Sequence, residues 1–248
     1  MLAWWENLPI LSWLLLRGRC RACRSWISLR YPAIELIIGV LWALCWAKLS
    51  EPIFAGPQGE VPHLVLRVLI EIAAAALLCW LLVALSALDA EYFWLPDWLT
   101  LPGIALGFVF TVFQSWMGSP PGLPANLLHA AWKSLLAILA PGGVILLIRL
   151  VYWLVRRQEG MGLGDAKLMA MLGAWLGLRG SLETFVLAIF LAAAAALLWL
   201  LVLAFRRTTA GWSTMPLPFG TFLCAAALME VFYPHWLWMG LNLDLLAG

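Results

Sequence analysis

The sequence predicts an all-α polytopic membrane protein of about seven transmembrane helices, one of them short. Three observations predict it. Of the 248 residues 65% are hydrophobic, against about 45–50% in ordinary soluble domains. Only 11% are charged, where about 25% is usual. Apolar runs such as Ile72–Leu88 hold no charged residue at all, and the mean hydropathy is +0.95. A disordered chain and a soluble single-core domain are excluded on these grounds. A net charge of +2 is too small to suggest a nucleic-acid partner.

A hydrocarbon core about 30 Å thick takes roughly 20 helical residues at about 1.5 Å each. On that ruler the spans fall at Ala33–Leu49, Leu64–Leu88, Leu99–Met117, Leu135–Val155, Ala166–Leu178, Leu182–Phe205 and Thr221–Met239. The fifth rises only about 20 Å, so it is either a short span buried in protein or a re-entrant segment. Seven spans put ten Lys and Arg residues on one side (Arg17, Arg19, Arg21, Arg24, Arg30, Arg156, Arg157, Lys167, Arg206, Arg207) and four on the other (Lys48, Arg67, Lys133, Arg179). The basic side faces the cytoplasm by the positive-inside rule, with the N-terminus inside. Residues 1–32 then form a cytoplasmic N-terminal segment and residues 33–248 the transmembrane domain. No cleavable signal peptide is expected in Met1–Leu16, which lacks a basic start. Ser119–Ala125 reads as an external loop and Glu159–Gly164 as a cytoplasmic turn.

The cysteines, Cys20, Cys23, Cys45, Cys79 and Cys224, are odd in number and scattered through apolar segments, which gives no disulfide framework. Only Cys20 and Cys23 have metal or redox spacing. One such pair supplies two of the four ligands of a structural zinc site, so zinc is not expected in a monomer. His63, His129 and His235 are too far apart in the topology to act together, and many of the 17 tryptophans lie where interfacial belts belong. Pro141, Gly142 and Gly143 suggest a kinked or closely packed fourth span.

With 13 acidic residues, each can be weighed singly. Glu6, Glu51, Glu60, Glu159, Glu183 and Asp244 fall in loops or at span ends, where solvation is expected. Glu35 and Glu71 lie near helix ends, suited to snorkelling or a helix–helix hydrogen bond. Glu230 lies deeper, in a functional or a structural pairing. The others stand in two unusual stretches. In Asp89-x5-Leu95-Pro96-Asp97-x-Leu99-Thr100, Asp89 ends an apolar run, where a carboxylate opposes its own helix dipole and gains nothing locally. Asp97 precedes a span and suits a helix N-cap. In Gly160-x-Gly162-x-Gly164-Asp165-x-Lys167, alternating glycines hold Asp165 at a helix start. That stretch is no P-loop, because the lysine is not followed by Ser or Thr in the required place. The seven-span topology brings Asp89 and Asp165 to the same cytoplasmic face. Two carboxylates within a few ångströms couple their titrations, so one can activate water while the other protonates the carbonyl oxygen or leaving amine.

These stretches resemble the bacterial type IV prepilin peptidases, membrane aspartic peptidases of the GxGD class. Trp5-Glu6-Asn7-Leu8-Pro9, Cys20-x2-Cys23, Arg30-Tyr31-Pro32-x2-Glu35 and Pro216-Leu217-Pro218-Phe219-Gly220 follow the family's order, and the likeness covers nearly the whole chain. The resemblance implies Asp89 and Asp165 as the catalytic pair. Asp97, Pro96, Gly162, Gly164, Lys167, Pro218, Phe219 and Gly220 would support it or border a substrate groove. The implied reaction removes the short basic leader of type IV prepilins or type II secretion pseudopilins at the cytoplasmic face of a bacterial inner membrane, cutting after a glycine. Proteolysis of this kind needs no cofactor.

Longer members carry a further first span and a cytoplasmic domain with two Cys-x2-Cys pairs, and methylate the new N-terminus with S-adenosylmethionine. This chain is similar to a short form lacking that span and the first pair, so methylation is not assigned to it. The basic residues around Cys20 and Cys23 would meet anionic lipid or an acidic stretch of the pilin. A presenilin-type peptidase fits less well, because there the first aspartate lies within a span beside a tyrosine. The alternative is a non-enzymatic membrane assembly protein or transporter with structural carboxylates. A transporter would favour ionisable groups near the midplane and an internal repeat, and neither is evident.

Overall fold

The structure is a computed structural model and describes residues 10–55, 61–117, 127–157, 162–206 and 217–234. Its helices are α1 (Leu11–Leu15), α2 (Arg30–Leu49), α3 (Glu51–Ala55), α4 (Val61–Tyr92), α5 (Asp97–Met117), α6 (Leu127–Arg156), α7 (Leu163–Arg206) and α8 (Phe219–Phe232). No strand occurs among the described residues, only an isolated antiparallel bridge between Arg19 and Trp26. The fold is all-α, as the composition predicts. Among the described residues five tracts are long and apolar enough to cross a membrane, and α8 is a shorter apolar helix. The chain divides into two compact units, Met1–Val83 and Ala84–Gly248. The stretches Trp5–Pro9, Ser119–Ala125, Gly160–Met161 and Pro216, with Glu6, Glu60, Glu159, His235 and Asp244, lie outside the described residues.

In the first unit, α2 and the first part of α4 meet through Trp42, whose indole N–H donates to the Ala76 carbonyl at 2.9 Å. The buried Cys45 and Cys79 thiols lie 3.8 Å apart there. Glu35 accepts the Ile10 N–H at 2.7 Å, and Glu71 pairs with Arg67 one turn earlier at 3.0 Å. Both acids thus engage local groups, Glu35 a backbone N–H ahead of α1 and Glu71 a neighbour in its own helix, where snorkelling or a helix–helix hydrogen bond was expected.

In the second unit, α7 is the centre of the packing, with α5, α6 and α8 against it. Forty-four residues of helix would rise about 66 Å, more than twice the hydrocarbon thickness. The tract breaks at Gly177, whose φ of 74° and ψ of 178° are not helical. Its first piece, 163–176, buries Leu168, Met169, Met171, Leu172 and Ala174. It is tied to α5 by Thr111 Oγ1 donating to the Ala174 carbonyl and Trp175 Nε1 donating to the Gly103 carbonyl, both at 2.8 Å. The predicted fifth span is therefore short and enclosed by protein, which is how a helix of about 21 Å can lie in a bilayer. Beyond Gly177, Gly180 lies against Glu230, late in α8, while Phe185 meets Phe219 at the start of α8, ring centroids 6.2 Å apart. The second piece accordingly runs back along α8, and the fifth and sixth predicted spans are the two limbs of α7.

Small residues make the close approaches. A Cβ on Gly173 would collide with the Ala137 carbonyl oxygen on α6, and one on Gly142 would lie 3.3 Å from the Ala166 carbonyl oxygen and the Ala170 Cβ. Gly142 is thus a packing residue, beside the buried Pro141. The outer faces stay apolar: Leu139, Leu147, Val155, Phe190 and Leu198 are all exposed, as lipid-facing positions should be. One expectation is corrected. Glu183, read as a solvated span-end residue, is 2% exposed and its Oε1 lies 3.5 Å from Arg179 Nε. The helix resumes directly after Gly177, so Glu183 falls on an inward face instead of in a loop.

Candidate active site

Four helix ends converge on one open cavity of about 900 Å³. They are the C-terminus of α4 and the N-termini of α5, α7 and α8. Asp89, Asp97, Gly162, Gly164, Asp165, Lys167, Pro218 and Phe219 all line it. Phe93, Trp94, Trp98, Leu163 and Leu217 supply its apolar walls.

Asp89 is in the last turn of α4 and 6% exposed. Its helix ends at Tyr92, and Phe93 turns the chain with a φ of 52°, a left-handed value uncommon for a bulky residue. That turn leads into Leu95 and Pro96, both buried. The carboxylate, unfavourably placed with respect to α4, is held by the first turn of α8. Its Oδ2 accepts the Thr221 N–H at 2.7 Å and lies 3.2 Å from the Thr221 hydroxyl, and the Gly220 N–H also donates to the carboxylate. Unpaired N–H groups and the positive end of the dipole make a helix start favourable for an anion. No side chain of α8 itself caps that start; Asp89 does so from a neighbouring helix. Gly220 allows the approach, since a Cβ there would lie 2.9 Å from the Asp89 Cγ and Oδ2.

Asp165 occupies the third position of α7 and accepts the N–H of Gly162, the residue just before the helix. This is the reaching-back half of a capping box, with glycine where Ser or Thr would stand. Gly164 sits under Leu95, whose Cβ and Cδ1 would be 3.1 and 3.2 Å from an added methyl. Asp89 and Asp165 are within electrostatic reach of each other. The buried Cys224 of α8 lies behind both.

Asp97 begins α5, and its side chain does not cap that helix. Its Oδ1 pairs with Lys167 Nζ at 2.5 Å, across from α5 to α7. The start of α5 is organised by Pro96, whose carbonyl accepts the Leu99 and Thr100 N–H groups at 3.1 Å and faces the Thr100 hydroxyl at 3.2 Å. Pro96 and Gly220 lie behind the cavity wall and do not line it, whereas Pro218 and Phe219 border it. Glu230 is 3% exposed and eleven residues along α8 from Phe219, remote from this cavity.

Sequence reasoning missed Thr221, which directly contacts Asp89. The available signal was its place in the first turn after Pro218-Phe219-Gly220, a turn with N–H groups to spare. It also passed over Leu163, Leu217 and the aromatic wall, whose role depends on tertiary placement. As to metals, Cys20 and Cys23 offer two thiols on the bridged turn near Arg19 and Trp26. Among the described residues no group of three or more His, Cys, Asp or Glu could hold a metal ion.

Comparisons with known proteins give the chain its relatives. Residues 1–49 match the bacterial peptidase A24 N-terminal domain. The chain is 35% identical over 233 residues to a prepilin leader peptidase/N-methyltransferase of Stutzerimonas stutzeri, covering 92% of this chain and 67% of the relative. It is 35% identical over 235 residues to the protein of that name from Xanthomonas campestris pv. campestris, covering 94% and 69%. A third, from Aeromonas hydrophila, is 34% identical over 231 residues, covering 92% and 67%. No solved structure matches the chain. Residues 76–197, which hold both Asp89 and Asp165, match the type IV leader peptidase family, and the chain belongs to that family.

Proposed function

We propose that this chain is a membrane aspartic endopeptidase that hydrolyses the leader from type IV prepilins or type II secretion pseudopilins, with Asp89 and Asp165 as its catalytic pair. The observation that carries this reading is the meeting of the two carboxylates in one cavity at the common end of α4, α5, α7 and α8. That end faces the cytoplasm of a bacterial cell, and the N-terminus lies on the same side. The Lys and Arg bias of the loops supports the orientation.

In the reaction one carboxylate is charged and the other protonated. The charged one takes a proton from water as the water oxygen bonds to the scissile carbonyl carbon. The protonated one gives its proton to the carbonyl oxygen, forming a neutral gem-diol. Collapse returns a proton from the diol hydroxyl to the second carboxylate, breaks the C–N bond, and delivers the first carboxylate's proton to the leaving nitrogen. Atoms and charges balance without a metal. Three helix N-termini around the cavity favour negative charge on its oxygens throughout.

A substrate helix lying among the spans would present its leader junction to the cavity mouth. The Trp94, Trp98 and Leu217 surfaces suit an apolar flank. The Asp97–Lys167 pair offers either sign of charge to the polar leader. The relatives' names include methyl transfer, for which S-adenosylmethionine would be the donor; only hydrolysis is assigned to residues of this chain. Two thiols do not make the four-ligand set of a structural zinc site, and no step is derived through a metal.

The test is incubation of the full chain, in detergent or membranes, with a type IV prepilin. The expected product is shortened by the leader and begins with the residue after the leader glycine. A prepilin left intact by well-folded protein would overturn the proposal.

A further inference from the structure

The two carboxylates are not held alike, and the difference lies in Thr221. Asp165 accepts one backbone N–H, from Gly162 in its own helix start. Asp89 Oδ2 accepts the Thr221 N–H at 2.7 Å and faces the Thr221 hydroxyl at 3.2 Å, with the Gly220 N–H also donating to the same carboxylate. The Thr221 hydroxyl lies 3.3 Å from the Ser86 carbonyl too. Its single hydrogen therefore goes to Asp89 or to Ser86 on α4 at any moment, while the backbone N–H has no such choice.

An oxygen already filled by donors has little room for a proton of its own. Hydrogen bonds donated to a carboxylate favour its charged form, and so does the start of a helix. Resting on the proposed peptidase function, we infer that Thr221 is a positioning residue that assigns the roles within the pair. It fixes Asp89 as the charged partner that takes the proton from water, and leaves Asp165 to hold the proton that goes to the carbonyl oxygen. Thr221 acts only through Asp89, because it is absent from the cavity lining. Neither motif that places the aspartates contains it.

The test uses three variants of the full chain. Thr221→Pro removes the N–H at the third position of α8, a donor that has no partner within its own helix. Thr221→Val removes the hydroxyl alone, and Thr221→Ser retains both donors. Loss of a hydrogen bond to a charged group should lower kcat for Thr221→Pro by about tenfold to a hundredfold, with KM within about twofold. Thr221→Val should lose less and Thr221→Ser should stay close to the parent. The acidic limb of the pH–rate profile should move to higher pH in Thr221→Pro. The titratable groups around Asp89 that must stay unchanged for that comparison are Asp165 and Lys167 on α7 and Asp97 on α5, which line the same cavity, and Cys224 on α8.

A kcat that falls only in step with the amount of folded protein, with an unmoved pH profile, would overturn the inference. So would a Thr221→Pro variant as active as the parent. Asp89→Asn is run beside them. If it stays active, the catalytic pair itself is wrong; if it is inert while Thr221→Pro is unaffected, only the role of Thr221 fails.

Discussion

Lys167 Nζ lies 2.5 Å from Asp97 Oδ1, so the cation of the Gly-x-Gly-Asp-x-Lys stretch is held by α5 at the cavity rim. Lys167 and Asp165 are two residues apart on α7 and both line the cavity. The pairing keeps the ammonium engaged away from the two carboxylates. Both partners are partly exposed, at 36% and 58% of the side chain.

Asp97→Asn should therefore leave stability within about 1 kcal/mol of the parent. It retains an oxygen acceptor for Lys167, and cleavage should remain within about fivefold of the parent, since no general acid or base is lost. A melting curve and a cleavage time course check the two halves. Activity as low as in a substitution of Asp89 would move Asp97 into the chemistry itself.

Gly220→Ala should act on catalysis more than on folding. The added methyl would lie 2.9 Å from the Asp89 carboxylate and 3.2 Å from Leu95 Cδ1, so the carboxylate must turn or α8 must withdraw. Misplacing a catalytic group by about an ångström can cost about a hundredfold in rate. The expected result is a fall in kcat of at least about tenfold with the cooperative melt preserved. Unchanged kcat would show that the start of α8 moves freely beside Asp89.

Gly173→Ala should do the reverse. Its methyl would collide with the Ala137 backbone oxygen, and no side-chain rotation relieves a backbone clash. Helices α6 and α7 would have to part, at a cost of at least about 1–3 kcal/mol. Thermal unfolding in detergent should show a lowered midpoint, and poor recovery of folded protein would agree with it. A midpoint equal to the parent's would mean that this helix contact is looser than the geometry indicates.

Cys23 gives a pH-dependent prediction well away from the cavity. The Ser25 side chain, 3.0 Å from its sulfur, pulls the thiol down to about 7, with the Ser25 backbone and Cys20 adding to the effect. The thiolate is the form stabilised, so it is half populated near pH 7 and nearly complete a unit or more above. Alkylation at Cys23 should rise with pH through 7 and then level off, while the buried Cys45, Cys79 and Cys224 stay unreactive in folded protein. A rate still climbing steeply above pH 8.5 would show an ordinary thiol.

The helical class and most span positions were legible because lipid exposure writes apolar runs directly into the sequence. That Asp89 and Asp165 would share one cavity was legible for a different reason: counting spans puts both at the same membrane face. What could not be read is what depends on tertiary approach. Asp89 seemed to gain nothing at the end of α4, because the helix start that holds it lies more than a hundred residues later. Asp97 looked like a cap until Lys167 reached it from another helix. Glu183 looked solvated because Arg179, Gly180 and Ser181 suggest a loop, yet the reversal at Gly177 takes a single residue and the helix resumes around it. Thr221 has nothing in its own residue type to mark it.

The most direct test of the account compares the full chain with Asp89→Asn and Asp165→Asn in cleaving a type IV prepilin, each reconstituted in the same lipid. Asparagine keeps shape and hydrogen bonding and removes the acid. The expected result is a leader-free product from the parent, beginning at the residue after the leader glycine, and none from either variant although both melt like the parent. Leader removal by either variant at a rate near the parent's would contradict it.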